Sequence, residues 1–188
     1  MDFLTALLER VSAPQLTGPD ITNEQLEVMI QAALRAPDHA WLRPSRYIAV
    51  RGDERQQLGE LFLQATDNYQ ELTPERQAKI RNMPMRAPLL LVAVCRIQEH
   101  PKVPREELLL STGAGVQNIL NAAWAMELGA IWRTGDLAYN HQVKEGLGLS
   151  EEEEIVGFVY VGHVNCRLKQ PPELKTEDFL TSWQAKNQ

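Results

Sequence analysis

Cysteine is scarce: Cys95 and Cys166 are the only two. One lies in an apolar run and the other in a polar segment, with no CxxC and no Cys/His ligand spacing. A disulfide framework and a zinc site are therefore excluded, and both residues read as free thiols with no bound metal. Positive charge is in deficit, 19 Lys plus Arg against 25 Asp plus Glu for a formal net charge of -6, and no local basic stripe compensates. This excludes nucleic-acid backbones and anionic membrane surfaces as main partners. No window approaches the roughly 18 consecutive apolar residues of a membrane span. The opening MDFLTALLER has no basic leader, and Glu9 and Arg10 end its apolar pattern early, so a secretory signal is not expected and a cytoplasmic location is. Repeats, low-complexity tracts and linkers are also missing. The 188 residues read as a single domain over 1–188, long enough to fold without staples.

Several catalytic signatures are absent too. Gly113 and Gly115 imitate a dinucleotide fingerprint, but they fall inside a helical pattern, position 118 is Asn, and no Walker A sequence occurs. The glycines are expected to let helices pack closely. Asp38 and His39 suggest a hydrolytic pair, yet no Ser or Cys stands in a recognisable nucleophile elbow.

What the chain does have is periodic. Phe3, Leu4, Leu7, Leu8 and Val11 outline a first short helix. Thr22 with Gln25 forms a capping box for a second helix, carrying Leu26, Met29, Ile30, Ala33 and Leu34 and ending near Arg35 because Pro37 cannot continue it. A short strand over Tyr47 to Val50 and a helix from Asp53 follow, and Thr73 before Pro74 caps another helix. Leu89 to Val94 and Ile155 to Val161 are apolar at successive positions, as strands covered on both faces are. Between them lie a long helix from about Arg105 to Leu128, a short strand Ala130 to Trp132 and a small helix before Gly146. The long helix is almost uncharged from Ser111 onward, which predicts burial on all sides. Its length predicts a dimer that buries part of it. The order of elements is that of an α+β or three-layer α/β domain with about four strands. The acidic run Glu151 to Glu154 reads as solvated.

Three clusters carry candidate chemistry. Arg10, Val11 and Ser12 end the first helix; a guanidinium near a hydroxyl can hold a phosphate, or simply cap the helix. Arg35, Ala36, Pro37, Asp38 and His39 place two donors on a proline-bent loop facing the edge of a flat heterocycle; the alternative is Arg35 capping carbonyls with Asp38 paired to His39. Trp132, Arg133, Thr134 and Gly135 end the strand after the buried helix, where backbone N–H groups, an aromatic surface and a charge meet; Trp132 in the core and Arg133 in solvent is the competing reading.

Taken in order, these clusters resemble the nitroreductase family, the FMN-dependent NAD(P)H oxidoreductases, and its short YdjA-like branch. The resemblance rests on the initial MD with Arg10 and Ser12, RAPDH at 35–39, HPKVPRE from His100, STGAGVQNILNAAWAMELG, IWRTG and IVGFVYVGH, and covers most of the chain. It implies a three-layer α/β/α fold, with a mixed, mainly antiparallel sheet of about four strands around the long helix. It also implies a homodimer with FMN at the subunit interface and NAD(P)H as co-substrate. Arg10, Val11 and Ser12 would take the phosphate and ribityl end. Arg35 and His39 would contact the cofactor, and Trp132, Arg133 and Thr134 would line the isoalloxazine, with either chain supplying a given group. The branch's RRSxxR reads RVSAPQ from Arg10, two positive charges fewer, and its QPW reads Arg43, Pro44 and Ser45, where Arg43 returns one charge. Arg167 and Lys169 are further substitutes.

The activity implied is hydride transfer from NAD(P)H to flavin N5 and on to a small acceptor such as a nitroaromatic or quinone. Such chemistry belongs to the cofactor, so no catalytic side chain is named, and Arg35 is assigned to stabilise the anionic reduced flavin. A flavin oxidase or dehalogenase on the same scaffold, and a non-catalytic flavin-binding protein, are the alternatives.

Overall fold

The computed structural model describes residues 3–183. In chain order its elements are α1 (Phe3–Glu9), β1 (Leu16–Thr17), α2 (Asn23–Ala33), β2 (Ser45–Arg51), α3 (Glu54–Gln64) and α4 (Pro74–Arg81). There follow β3 (Leu89–Arg96), α5 (Arg105–Ala125), β4 (Gly129–Arg133), α6 (Asp136–Tyr139), α7 (His141–Gly146) and β5 (Glu153–Val164). Both proposed caps are present: Thr22 and Gln25 form a reciprocal box at α2, and Thr73 accepts from the Arg76 N–H with Pro74 in the first turn of α4.

β3 and β5 pair at the centre of the sheet, and β2 lies outside β3. The far edge of β5 carries two strands in tandem, β4 opposite Phe158–Gly162 and β1 opposite His163–Val164. The sheet therefore has five strands in four positions, and every pairing among the described residues is antiparallel, in line with the mainly antiparallel sheet of about four strands expected, the short β1 being the addition. β1, only two residues long, has no period to read.

Alternate β3 residues feed two cores. Leu90, Val92 and Val94 pack with Phe62, Val143, Phe158 and Tyr160 under α3, α4 and α7. Leu89, Leu91 and Ala93 pack with Met29, Ala33, Val116 and Ile119 under α2 and α5. This is the three-layer α+β arrangement. Gly115 lets α5 close on α2 and β2, because a Cβ there would strike the Tyr47 hydroxyl and approach the Ala33 carbonyl.

α5 departs from expectation in two ways. It buries Leu108, Thr112, Val116, Ile119 and Ala123, but Leu110, Gln117 and Ala125 are exposed, so in a single chain it is not covered on all sides. It also stops at Ala125, giving 21 residues, or about 31 Å at the usual rise. The stop is a paired C-terminal turn: Glu127 takes a left-handed φ of 62°, the Leu128 N–H donates to the Ala123 carbonyl at 2.9 Å, and the Glu127 N–H to the Trp124 carbonyl at 2.9 Å. Buried Leu128 pins the turn to the core and aims the chain into β4.

The acidic run is likewise not solvated throughout. Glu153 is 8% exposed and forms a two-point pair with Arg46 of β2, backed by the Arg96 guanidinium of β3 at 3.4 Å and the Ser150 N–H at 3.1 Å. These bonds, the Arg46 pair first, hold its carboxyl down at about 2. The clamp ties three strands together, and Arg105 with Glu154 ties the start of α5 to the same strand end. Cys95 and Cys166 are both free thiols. Among the described residues no helix is long and apolar enough to cross a membrane.

Candidate functional site

The turn after β4 is fixed from below. Trp132 and Arg133 are consecutive strand residues, so their side chains leave opposite faces of the sheet. The Trp132 indole enters the α2/α5 core, its N–H donating to the Val156 carbonyl at 3.3 Å. Val156 is the extra residue of a bulge in β5, since Ala93 faces Gly157 while Val94 faces Ile155. Gly157 supplies the remaining space, because a Cβ there would overlap the indole. Trp132 is thus a locked, half-buried core side chain, and it is the backbone beyond it that is presented.

Arg133 points to the other face, into a cavity of about 410 Å³ shared with Thr134 and Gly135. Its Nε is buried without a hydrogen-bond partner. Gly135 has a φ of 106° and open space where a Cβ would stand. Only glycine holds such a turn without strain, and it leaves the backbone open to close approach.

Arg10, Val11 and Ser12 connect α1 to the sheet edge, where the Ala13 N–H donates to the Ala130 carbonyl of β4 at 3.0 Å. Ser12 is exposed and Val11 half-buried, while Arg10 Nη1 is buried with no partner. An unpaired buried guanidinium nitrogen retains its full desolvation cost until an acceptor meets it.

The Arg35–His39 segment lies against α5. The Ser111 hydroxyl donates to the Pro37 carbonyl at 2.7 Å, and the Asn118 side-chain amide to the Ala32 carbonyl at 3.0 Å. His39 pairs with Glu107, not with Asp38. Asp38 instead accepts the Arg43 N–H at 2.8 Å with Oδ2, while Oδ1 is buried and unpaired. Ala40, Trp41 and Arg43 all have left-handed φ values of 57°, 55° and 49°, an arrangement that persists only when neighbours enforce it. Gln98 holds the Leu42 carbonyl at 2.9 Å and Leu42 packs on Leu108 and Val103. The result is a tense loop displaying Trp41, 81% exposed. A cavity of about 520 Å³ lies on one side, with Arg35, Arg43 and Ser45. Another of about 500 Å³ lies on the other, with His39, Glu107 and Leu110.

Within one chain loop 35–39 borders two cavities and the Arg133–Gly135 turn a third, separate one. α5 is their common support: it carries the partners of loop 35–39, and the Trp132 ring lies over its Gly113. Sequence reasoning missed the unpaired Asp38 oxygen, the display of Trp41, and the approach of Arg86 and Tyr160 to the Arg133 cavity. The strand period could have separated Trp132 from Arg133; nothing in the sequence marks Arg86.

Known proteins share this fold. The model of the Nitroreductase family matches residues 7–163. The candidate NAD(P)H nitroreductase YdjA of Escherichia coli K12 is 37% identical over 162 residues, 86% of this chain and 88% of that protein. A nitroreductase-like family protein from Bacillus cereus superimposes with a TM-score of 0.87 at 22% identity, over 98% of this chain and 97% of that one. A candidate nitroreductase from Desulfovibrio desulfuricans, solved in complex with FMN, gives a TM-score of 0.74 at 20% identity over 97% of each chain.

Proposed function

This chain belongs to the nitroreductase family, and from that premise we propose that it is an FMN-dependent oxidoreductase working as a homodimer, with NAD(P)H as donor and a small organic acceptor such as a nitroaromatic or quinone. When bound, FMN supplies the redox chemistry, accepting hydride from the nicotinamide and delivering it to the acceptor. The protein's task is binding, orientation and field.

The observation that carries this reading is the orphaned Arg10 Nη1. A buried guanidinium with nothing to bond calls for an anionic oxygen, and a phosphate satisfies it with a charge-assisted bond that the exposed Ser12 hydroxyl can supplement. At the other end, Gly135 and the Thr134 backbone offer an open surface to a flat ring system, held in place by the locked, half-buried Trp132. Arg35 brings positive charge and His39 a ring nitrogen, from the loop braced by Glu107 and Ser111.

That loop and the Trp132–Gly135 turn do not share a cavity in one chain, which favours a site completed by a second copy. Leu7 and Leu8 of α1, Leu110 of α5, Trp41, and Leu174, Phe179 and Leu180 of the tail are 41–81% exposed, more apolar surface than a monomer comfortably shows. A second chain laid along α5 would cover it and bring one copy's loop over the other's turn.

The visible spectrum of the purified protein tests the cofactor: flavin bands, present as isolated or after adding FMN, support the reading, and protein that stays colourless after reconstitution ends it. Anaerobic stopped-flow mixing with NADPH and with NADH then tests the activity. Rapid bleaching by either is the result of a reductase. Bands that neither donor bleaches leave a flavin-binding protein without this activity.

A further inference from the structure

Beyond Arg133, Thr134 and Gly135, the Arg133 cavity contains chemistry that the flavin reading leaves unused. Its floor is aromatic: Phe62 and Phe158 meet edge to face, with centroids 5.1 Å apart at 69°, and Tyr160 lies beside them, all three buried. Arg86, in the 3-10 turn before β3, reaches the same space as Arg133. Neither guanidinium has a carboxylate or hydrogen-bond acceptor among the described residues, and Arg133 Nε is fully buried in that condition. Burial pushes the Tyr160 phenol up from its ordinary value, while the two arginine charges oppose that rise, and all three residues line the same cavity.

Two unpaired cations over an apolar floor are unstable company for each other and for water. They fit a ligand that is anionic at one end and flat and apolar at the other. A bare inorganic ion would satisfy the arginines but leave most of the roughly 410 Å³ unfilled. We propose that Arg86, Arg133 and the Tyr160 hydroxyl form a binding site for an aromatic carboxylate, whose ring lies on Phe62 and Phe158. The carboxylate takes a forked bond from one guanidinium and a second charged donor from the other, and the ring gains offset aromatic contacts. The mouth of the site opens at Thr134 and Gly135, on the sheet face opposite the Trp132 indole, so its ligand sits next to the turn assigned to the cofactor without depending on that assignment.

Calorimetric titration of the full-length protein with benzoate, with and without added FMN, tests this, with benzamide as the neutral isostere. The expected result is saturable benzoate binding in both conditions and benzamide binding about tenfold weaker or worse, as loss of charged hydrogen bonds dictates. Arg86→Gln is expected to weaken benzoate by about tenfold or more while leaving FMN affinity unchanged. Absence of benzoate binding, or equal binding of benzamide, overturns the proposal, and both readouts use the unaltered chain and so do not depend on the variant folding. Benzoate displaced by FMN, together with weaker FMN binding by Arg86→Gln, also overturns it, because the cavity then belongs to the cofactor.

Discussion

Two groups of arginines in this protein contrast by place. At the sheet end where β2, β3 and β5 meet, Arg46 and Arg96 converge on buried Glu153, and Arg105 pairs with Glu154. Around the α5 face and the β4 turn, Arg10, Arg35, Arg43, Arg86 and Arg133 have no carboxylate among the described residues. The first group completes the fold and the second is incomplete without something else. A guanidinium cannot shed its proton to escape burial, and on the proposed reading ligand anions meet the orphaned nitrogens of Arg10 and Arg133. On that reading the unpaired charges of Arg10 and Arg133 serve binding and the paired ones at Glu153 architecture, while Arg51, whose Nη2 is also unpaired, is already held by Asn23 through Nη1.

The contrast breaks if members of the two groups respond alike. The largest effect is expected at Arg10→Ala, which should weaken FMN binding by about 1.5 to 3 kcal/mol through loss of a charged hydrogen bond, read by flavin fluorescence titration, with thermal stability unchanged or raised. An unchanged flavin affinity removes Arg10 from the site. Next comes Glu153→Gln, which leaves two arginines facing a neutral group and should lower stability by about 2 kcal/mol, less than a fully dry pair because Arg96 is half in water. Urea denaturation reads it, and FMN affinity should not move.

The pH dependence of that clamp sharpens the point. Because the carboxyl is held at about 2 when folded, against 4.5 ordinarily, its contribution is fully present above pH 4.5 and is lost as pH falls from there toward 2. Wild type and Glu153→Gln should therefore converge in stability over that acid range; a constant gap between them would place the stabilisation elsewhere. The smallest effect belongs to Arg105→Ala. Its pair with Glu154 is half exposed, so despite good geometry the loss should be barely measurable by the same denaturation assay.

How legible all this was in the sequence depended on whether the signal was local. The caps at Thr22 and Thr73 and the apolar β3 and β5 were readable because each is decided within a few residues. β1 was not, since two residues have no period and its pairing with His163 and Val164 is a distant event. Glu153 looked solvated among four successive glutamates, and only the strand register brings Arg46 and Arg96 to it. The all-round burial expected of α5 fails at Leu110, Gln117 and Ala125 because one chain supplies layers for only part of its circumference. The clusters at Arg10, Arg35 and Trp132 were visible as residue types, yet the separation of the 35–39 loop's cavities from that of Arg133 depends on tertiary packing, as does the arrival of Arg86 in the Arg133 cavity.

The central claim is that two copies of this chain hold FMN between them. Sedimentation velocity of the FMN-loaded protein, followed at flavin and protein wavelengths across a dilution series, tests it directly. The account predicts that flavin absorbance travels with a dimer and is released as the dimer dissociates. A yellow monomer that keeps its flavin at every dilution would contradict it.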